Sequence, residues 1–286
     1  MKPLVTIAIP VYNGMPYIED AIYSVLNQTF TNWILYVIND GSTDGSIEII
    51  RSIINNDSRI ILINDGLQKG LVKRLNQSIE MTQTKYYARM DADDIMFVTR
   101  LEEQVSFLEN HPDVDVLGAS VMTIDNHNNI VGSGLSVGKV SSFIHPTVIG
   151  RTEWFQKNNY SDWAVRAEDF ELWCRTSRNS SFYAIGKPLL FYREFGVPTF
   201  KKTILSLRTK IKIYRCYRKY DKSLLWCCKG VGLTVLKICV YAIFNAIGKM
   251  DYIVSKRKRT AIPSSACLTK SDLELCVKKE NSLLEQ

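Results

Sequence analysis

Asp91-Ala92-Asp93-Asp94 packs three carboxylates into four residues. It follows Lys85-Tyr86-Tyr87-Ala88-Arg89-Met90, a run that reads as a short strand. Side chains alternate along an extended backbone, so Asp91 and Asp93 can project to one side at the strand's carboxyl edge. Carboxylates placed there suit a hard divalent cation that also grips phosphate oxygens. A solvated loop or a helix cap is the competing reading of a lone Asp-x-Asp. Two earlier segments carry related chemistry. Tyr12-Asn13 offers a ring that could stack on a base, and Asp40 offers an acceptor for a base or ribose donor. Taken separately, Asn39-Asp40-Gly41-Ser42 reads as a turn and Tyr12 as a packed aromatic.

The elements that must position these groups alternate. Leu4–Pro10 is a near-continuous apolar run, the mark of a central parallel strand, and Pro16–Gln28 has helical spacing. Trp33–Ile38 reads as a second strand, Ser46–Ile54 as a helix, Arg59–Ile63 as a third strand, and Leu71–Met81 as a helix. Arg100–Glu109 supplies a further helix, so residues 1–120 predict a Rossmann-like half. In such open sheets ligands sit outside the carboxyl ends of the strands, where Tyr12, Asn13, Asp40, Asp91 and Asp93 would line one crevice. Beyond Met122 the pattern loosens. Asp125–Asn129 reads as a polar turn, His145–Ile149 and part of Phe182–Tyr192 as strands, and Ala167–Thr176 as a helix.

Four segments in fixed order, Val5–Asn13, Asn39–Asp44, Ala88–Asp94 and Ala167–Trp173, resemble the family 2 glycosyltransferases across residues 3–195. Gly66-Leu67, Leu75-Asn76 and Arg100-Leu101-Glu102 match too, whereas Val98 stands where proline is frequent and Gly70 where a small side chain is common. The resemblance implies a GT-A fold: an α/β domain with a mainly parallel central sheet flanked by helices. It implies inverting transfer of a sugar from a nucleotide-diphosphate donor, most often a UDP-sugar. By the same resemblance Pro10, Tyr12, Asn13 and Asp40 hold the nucleoside, and Arg89 approaches the ribose or phosphates. Asp93 becomes the nearest ligand of Mn²⁺ or Mg²⁺, with Asp91 nearer the ribose or binding through water. Asp169 becomes the general base and Glu168 an acceptor contact. As an isolated pair, these two acids read equally as first-turn residues stabilised by the helix dipole. Trp173 reads as core or as a platform near the sugar. His145 matches a position on the acceptor side or a structural hydrogen bonder, and Arg193 a diphosphate contact or a surface salt bridge.

Composition divides the chain. Its 286 residues, 46% hydrophobic and 23% charged, can bury a full core. The net charge of +7 conceals 17 basic against 23 acidic residues over 1–200, and 16 against 2 over 201–259. Arg208, Lys212, Arg215, Lys219 and Lys222 recur at helical steps, followed by an apolar run, Leu224–Ile247, that holds Lys229 and Lys237. A cationic stripe beside aliphatic residues suits an anionic membrane surface. An apolar helix packed on the catalytic domain is the alternative. The segment shows no nucleic-acid-binding motif, so no nucleic-acid partner is expected. A lysine near mid-bilayer costs roughly 2.5–3.5 kcal/mol, so shallow or hairpin insertion is expected rather than a crossing, with Lys256–Arg259 returning to the headgroups.

Three regions follow: a catalytic domain over 1–198, with donor half 1–120 and acceptor half 121–198, a membrane-associating region over 199–259, and a polar tail over 260–286. Seven cysteines without paired metal-type spacing, and an N-terminus that enters a strand within a few residues, point to a reducing cytosol. With the resemblance, this implies a peripheral or monotopic enzyme on the cytoplasmic face of a bacterial inner membrane. It would act on an undecaprenyl-diphosphate-linked sugar in O-antigen or capsule assembly. A catalytically silent nucleotide-sugar or membrane-binding module on the same scaffold is the second reading.

Overall fold

The computed structural model describes residues 2–54, 57–194, 199–217, 223–255 and 268–278. In chain order the elements are β1 (Val5–Val11), α1 (Ile18–Leu26), β2 (Trp33–Asn39), α2 (Ser46–Ile54), β3 (Ile60–Ile63), α3 (Leu71–Met81), β4 (Tyr86–Arg89) and β5 (Ile95–Met96). Then come α4 (Arg100–Asn110), β6 (Val116–Ile124), β7 (Ile130–Gly134), β8 (Gly138–Lys139), a 3₁₀ turn (His145–Thr147), β9 (Ile149–Arg151), α5 (Thr152–Lys157), α6 (Glu168–Thr176) and β10 (Phe182–Arg193). Helices α7 (Phe200–Tyr217), α8 (Leu224–Ala246), α9 (Met250–Ser255) and α10 (Lys270–Cys276) complete the chain. These elements form two compact units, one drawn from Met1–Lys157, Ser180–Glu194 and Thr260–Gln286, the other from Asn158–Asn179 and Phe195–Arg259. The division does not follow the three consecutive regions expected from sequence, because β10 returns the chain to the sheet after the excursion through α6.

The first unit is one mixed sheet of order β3-β2-β1-β4-β9-β6-β10-β5, with β7 on β6 and β8 on β10. Strands β3, β2, β1 and β4 run parallel, whereas β9 is antiparallel to both β4 and β6. The apolar run of β1 is buried on both faces, as a central parallel strand must be. Strand order reverses between β1 and β4: the chain moves out through β2 and β3, then returns to the far side of β1. In open α/β sheets such a reversal is where ligands bind, at the carboxyl ends of the two strands. The His145–Ile149 segment is a 3₁₀ turn leading into β9 rather than a strand from its first residue, since Pro146 at the turn's start cannot donate to a ladder. Pro188 likewise interrupts β10, whose pairing with β6 shifts register on either side of it.

The end of the chain corrects another expectation. Residues 270–276 are a helix, not simply part of a polar tail: Thr269 and Asp272 form a capping box, and Leu273 and Cys276 are buried among Ile95, Phe97, Met122 and Phe191. The Asn27 side-chain amide donates to the carbonyls of Cys276 and Lys278, both at 2.9 Å, and fixes the helix end against α1.

The second unit is helical. Ile213 and Tyr217 of α7 pack on Ala167, Phe170 and Cys174 at α6. The buried Glu171 accepts from Arg175 Nε at 3.0 Å and from the Tyr217 hydroxyl. Gly230 of α8 lets Tyr214 of α7 approach so closely that an added Cβ would lie 2.3 Å from the ring. The stripe of α8 facing inward is narrow (Cys227, Gly230, Thr234), and Leu225, Leu233, Leu236 and Ile243 are left exposed. By length and composition this 23-residue helix could cross a membrane, and only 17% of its most apolar window is buried. Arg208, Lys212 and Arg215 are exposed on α7, as the stripe requires. Lys219, Lys222 and Lys256–Arg259 lie outside the described residues. The described cysteines are free thiols.

Candidate active site

At the carboxyl ends of β1 and β2, two loops are laced together. Asn13 takes a left-handed backbone (φ 52°), and its Oδ1 accepts the Thr43 N–H at 2.8 Å while its own N–H donates to Ser42 Oγ at 3.0 Å. Gly14 N–H donates to Ser46 Oγ at 2.9 Å and Met15 N–H to Asp44 Oδ2 at 2.9 Å. The side-chain oxygen of Asn13 is therefore engaged in holding the shelf. Tyr12, on the same turn, is 52% exposed, and Pro10 is half-buried at the end of β1. The ring of Tyr12 is not the packed aromatic that its isolated reading allows.

Asp40 faces inward. Its Oδ1 accepts from Lys69 N–H (2.7 Å), Gly70 N–H (3.0 Å) and Arg74 Nε (2.9 Å), and its Oδ2 from Gly70 N–H (3.0 Å). The wholly buried Arg74 also reaches Asp65, at 2.7 and 3.0 Å, and holds that carboxyl well below the usual carboxylate range. Gly70 has φ 87°, a left-handed conformation that favours glycine, and it is this turn that aims two amides at Asp40. The resemblance gave no role to Arg74 or to the 69–70 turn. Their signal is three-dimensional, because the partners lie about thirty residues from Asp40.

The carboxylate oxygens of Asp91, Asp93 and Asp94 lie within 4.8 Å of one another. Asp91 is bonded to the guanidinium of the buried Arg89, which gives that arginine a partner inside the loop. Asp93 is pushed up to about 7, first by burial and then by the charge of Asp91, with Arg193 and Arg89 opposing. Asp94 is also pushed up, by burial and by both neighbouring acids. Like charges this close, partly shielded from water, are relieved by a dication, so the residues fit Mn²⁺ or Mg²⁺. His145, half-buried at the 3₁₀ turn, is held well below the ordinary histidine range by burial and by the Arg89 charge, so it is neutral at pH 7.

Arg193 is not a surface salt bridge: it is 3% exposed. Its Nε donates to Asp93 O at 2.9 Å, its Nη1 to Asp125 O at 2.7 Å, and its guanidinium lies 4.2 Å from the Tyr17 ring centroid. Arg100, buried and pushed down to about 9 by desolvation, donates to the Arg89 carbonyl at 3.1 Å and supports the loop from behind. From sequence, Arg100 is only a family match, and Tyr17 and Asp94 carry no assigned role.

In the second unit Glu168 and Asp169 open α6, with Glu168 buried and Asp169 half-buried. Trp173 is 1% exposed, so it is core rather than a platform.

The family model described as glycosyl transferase family 2 matches residues 6–169. An uncharacterised glycosyltransferase of Haemophilus influenzae is 30% identical over 217 residues, 69% of this chain and 67% of the relative. The fold is that of TarS of S. aureus in complex with UDP-GlcNAc, with TM-score 0.64 at 17% identity over 82% of this chain and 72% of that one. It is also that of a mannosyltransferase from Pyrobaculum calidifontis in complex with GDP-Man and Mn²⁺, with TM-score 0.60 at 15% identity over 96% and 86%. With the motifs in order on a GT-A-type sheet and more than half the chain inside the family model, this protein belongs to the family 2 glycosyltransferases.

Proposed function

We propose that this enzyme is an inverting, metal-dependent glycosyltransferase that moves a sugar from a UDP-sugar to an undecaprenyl-diphosphate-linked acceptor in O-antigen or capsule assembly. The observation that carries the reading is the carboxylate cluster at the β1/β4 reversal, on the same sheet edge as the exposed Tyr12. The nucleotide-sugar and Mn²⁺ complexes of the structural neighbours support it. Tyr12 stacks on the base, Pro10 and Asn13 shape the shelf, and Asp40 Oδ2, with one donor of its own, keeps a lone pair for the base N–H. Asp93 and Asp91 hold the metal, which when bound neutralises charge on the departing diphosphate. His145 and Glu168 contact the acceptor. Asp169 takes the proton of the acceptor hydroxyl as its oxygen attacks the anomeric carbon and the bond to the diphosphate breaks, which inverts configuration.

Calorimetry of UDP binding with and without Mn²⁺ tests the donor side. Binding indifferent to Mn²⁺ would remove Asp93 from its role, and metal-dependent binding without turnover on any acceptor would favour the silent-module reading.

The exposed apolar face of α8 and the cations of α7 support attachment to the cytoplasmic leaflet, where a lipid-carried acceptor is met. In the full chain, Arg208, Lys212 and Arg215 all changed to Glu should lose binding to vesicles containing anionic lipid. Retained vesicle binding would count against that attachment.

A further inference from the structure

We propose that Arg193 and Asp94 are positioning residues that act as one latch, fixing the backbone of the metal-binding loop against the end of β10. The hydrogen bonds are reciprocal. Arg193 N–H donates to Asp94 Oδ1 at 2.9 Å, and Arg193 Nε donates back to the carbonyl of Asp93 at 2.9 Å. Each residue therefore holds the other's segment, and the carbonyl held is that of the proposed metal ligand. Three further contacts anchor the latch: Nη1 on Asp125 O at 2.7 Å, the guanidinium carbon over the Tyr17 ring, and β5 paired with Leu190 and Phe191 just before Arg193. Both residues are buried, at 3% and 1% exposure, so these bonds are shielded from competing water.

A guanidinium can donate from two nitrogens to two carbonyls while its central carbon sits over a ring. A lysine offers one point charge and cannot reproduce that geometry. The latch also explains why Asp94 is buried in a run whose other acids are more open. Its carboxylate is a fixed acceptor for the backbone of β10, and its Oδ2 has no hydrogen-bond partner among the described residues. Arg193 Nη2 likewise has none among the described residues, which leaves direct contact with a diphosphate as the rival role.

Hydrogen exchange of amides 91–96 in the full chain without metal tests the latch directly. Arg193→Lys should raise their exchange about tenfold or more. Asp94→Ala should do the same, whereas Asp94→Asn, which keeps an acceptor oxygen, should stay near wild type. The double variant Arg193→Lys/Asp94→Ala should exchange no faster than the worse single one, because partners in one device do not add. Tyr17→Leu, which removes the ring beneath the guanidinium and keeps both reciprocal bonds between Arg193 and the loop, should raise exchange about threefold and serves if Arg193→Lys does not fold.

A second arm rests on Asp93 as a metal ligand. The Mn²⁺ dissociation constant of Arg193→Lys, read from the free-ion paramagnetic resonance signal, should rise about tenfold, with UDP affinity in the absence of metal unchanged. Unchanged exchange in Arg193→Lys, or Asp94→Asn exchanging as fast as Asp94→Ala, overturns the latch. So does weakened metal-free UDP binding with exchange at the wild-type rate, which assigns Arg193 to the diphosphate instead. If the wild type binds no Mn²⁺, the metal reading fails by itself and the exchange series still decides the latch.

Discussion

The acidic loop of the first unit and helix α8 of the second are built on opposite principles. Around Asp91–Asp94, buried polar groups are tied to particular partners: Asp94 and Arg193 to each other's segments, Arg100 to the Arg89 carbonyl, and the buried Arg89 to the half-open Asp91. Along α8 the side chains are apolar, exposed and, apart from the stripe at Cys227, Gly230 and Thr234, not buried inside the unit. A buried polar network is specified residue by residue, because a lost partner strands a charge or an amide in low dielectric. An exposed apolar helix is specified by composition, because a lipid surface asks for area and not for a particular neighbour. Single substitutions should therefore be felt sharply in the first region and weakly in the second.

The largest expected effect lies in the second unit, and so tests how far that contrast extends. Asp169→Asn should reduce transfer by about 10²–10⁴-fold, the usual contribution of a general base, while UDP binding in Mn²⁺ persists. Turnover near wild type would move the base elsewhere. Next, Arg74→Met strands the inward-facing Asp40 and should cost about 3–5 kcal/mol in chemical denaturation. A loss below about 1 kcal/mol would mean that the network is not what holds the turn at Asp40. Asp93→Asn should lower the transfer rate by roughly a hundredfold without lowering the unfolding midpoint of the metal-free protein, separating chemistry from architecture.

Gly230→Ala probes the one tightly specified spot of α8. The new methyl meets Tyr214, and about 1–3 kcal/mol of stability should be lost, whereas Leu233→Ala on the exposed face should cost under about 0.5 kcal/mol. Equal costs at the two positions would erase the distinction between the packed stripe and the exposed face of α8.

The smallest effect is with pH. Because Asp93 is pushed up to about 7, its folded state holds a proton that the unfolded chain releases near the ordinary aspartate value. The stabilisation this gives the metal-free protein is present below that ordinary value and is lost as pH rises through 7. Mn²⁺ competes with the same proton, so the rise in melting temperature on adding Mn²⁺ should be larger at pH 8 than at pH 6. A shift independent of pH would show that Asp93 is not the titrating ligand.

The β1–β4 part of the fold was legible because local rules suffice there. The two-sided apolar run of β1 can only be a central strand, and the alternation through β4 gives the parallel order. The loop acids were legible as chemistry, since three carboxylates after a strand form a local pattern. Asp40 was readable as an acceptor but not as an inward-facing one, since Gly70 and Arg74 reach it only after α3 folds back. The capping box of α10 stands in the sequence, yet nothing local says that Leu273 and Cys276 bury against Phe97 and Phe191. Arg193 presented the same difficulty: a charged residue at a strand end reads as surface until Tyr17 and the Asp93 carbonyl are placed around it.

By itself the sequence determined which groups could do chemistry, the strand-helix alternation that delivers them to one sheet edge, and the apolar and cationic character of α7 and α8. These depend on periodicity and residue type, which neighbours along the chain are enough to establish. Tertiary structure alone decided which of those groups are free to meet a ligand and which are bound to the protein itself. Tyr12 stays open and Asp40, though turned inward, has only one donor on Oδ2, while Asn13, Asp94 and Arg193 are bound into the protein, because burial and hydrogen-bond partnership are set by residues far away in the chain.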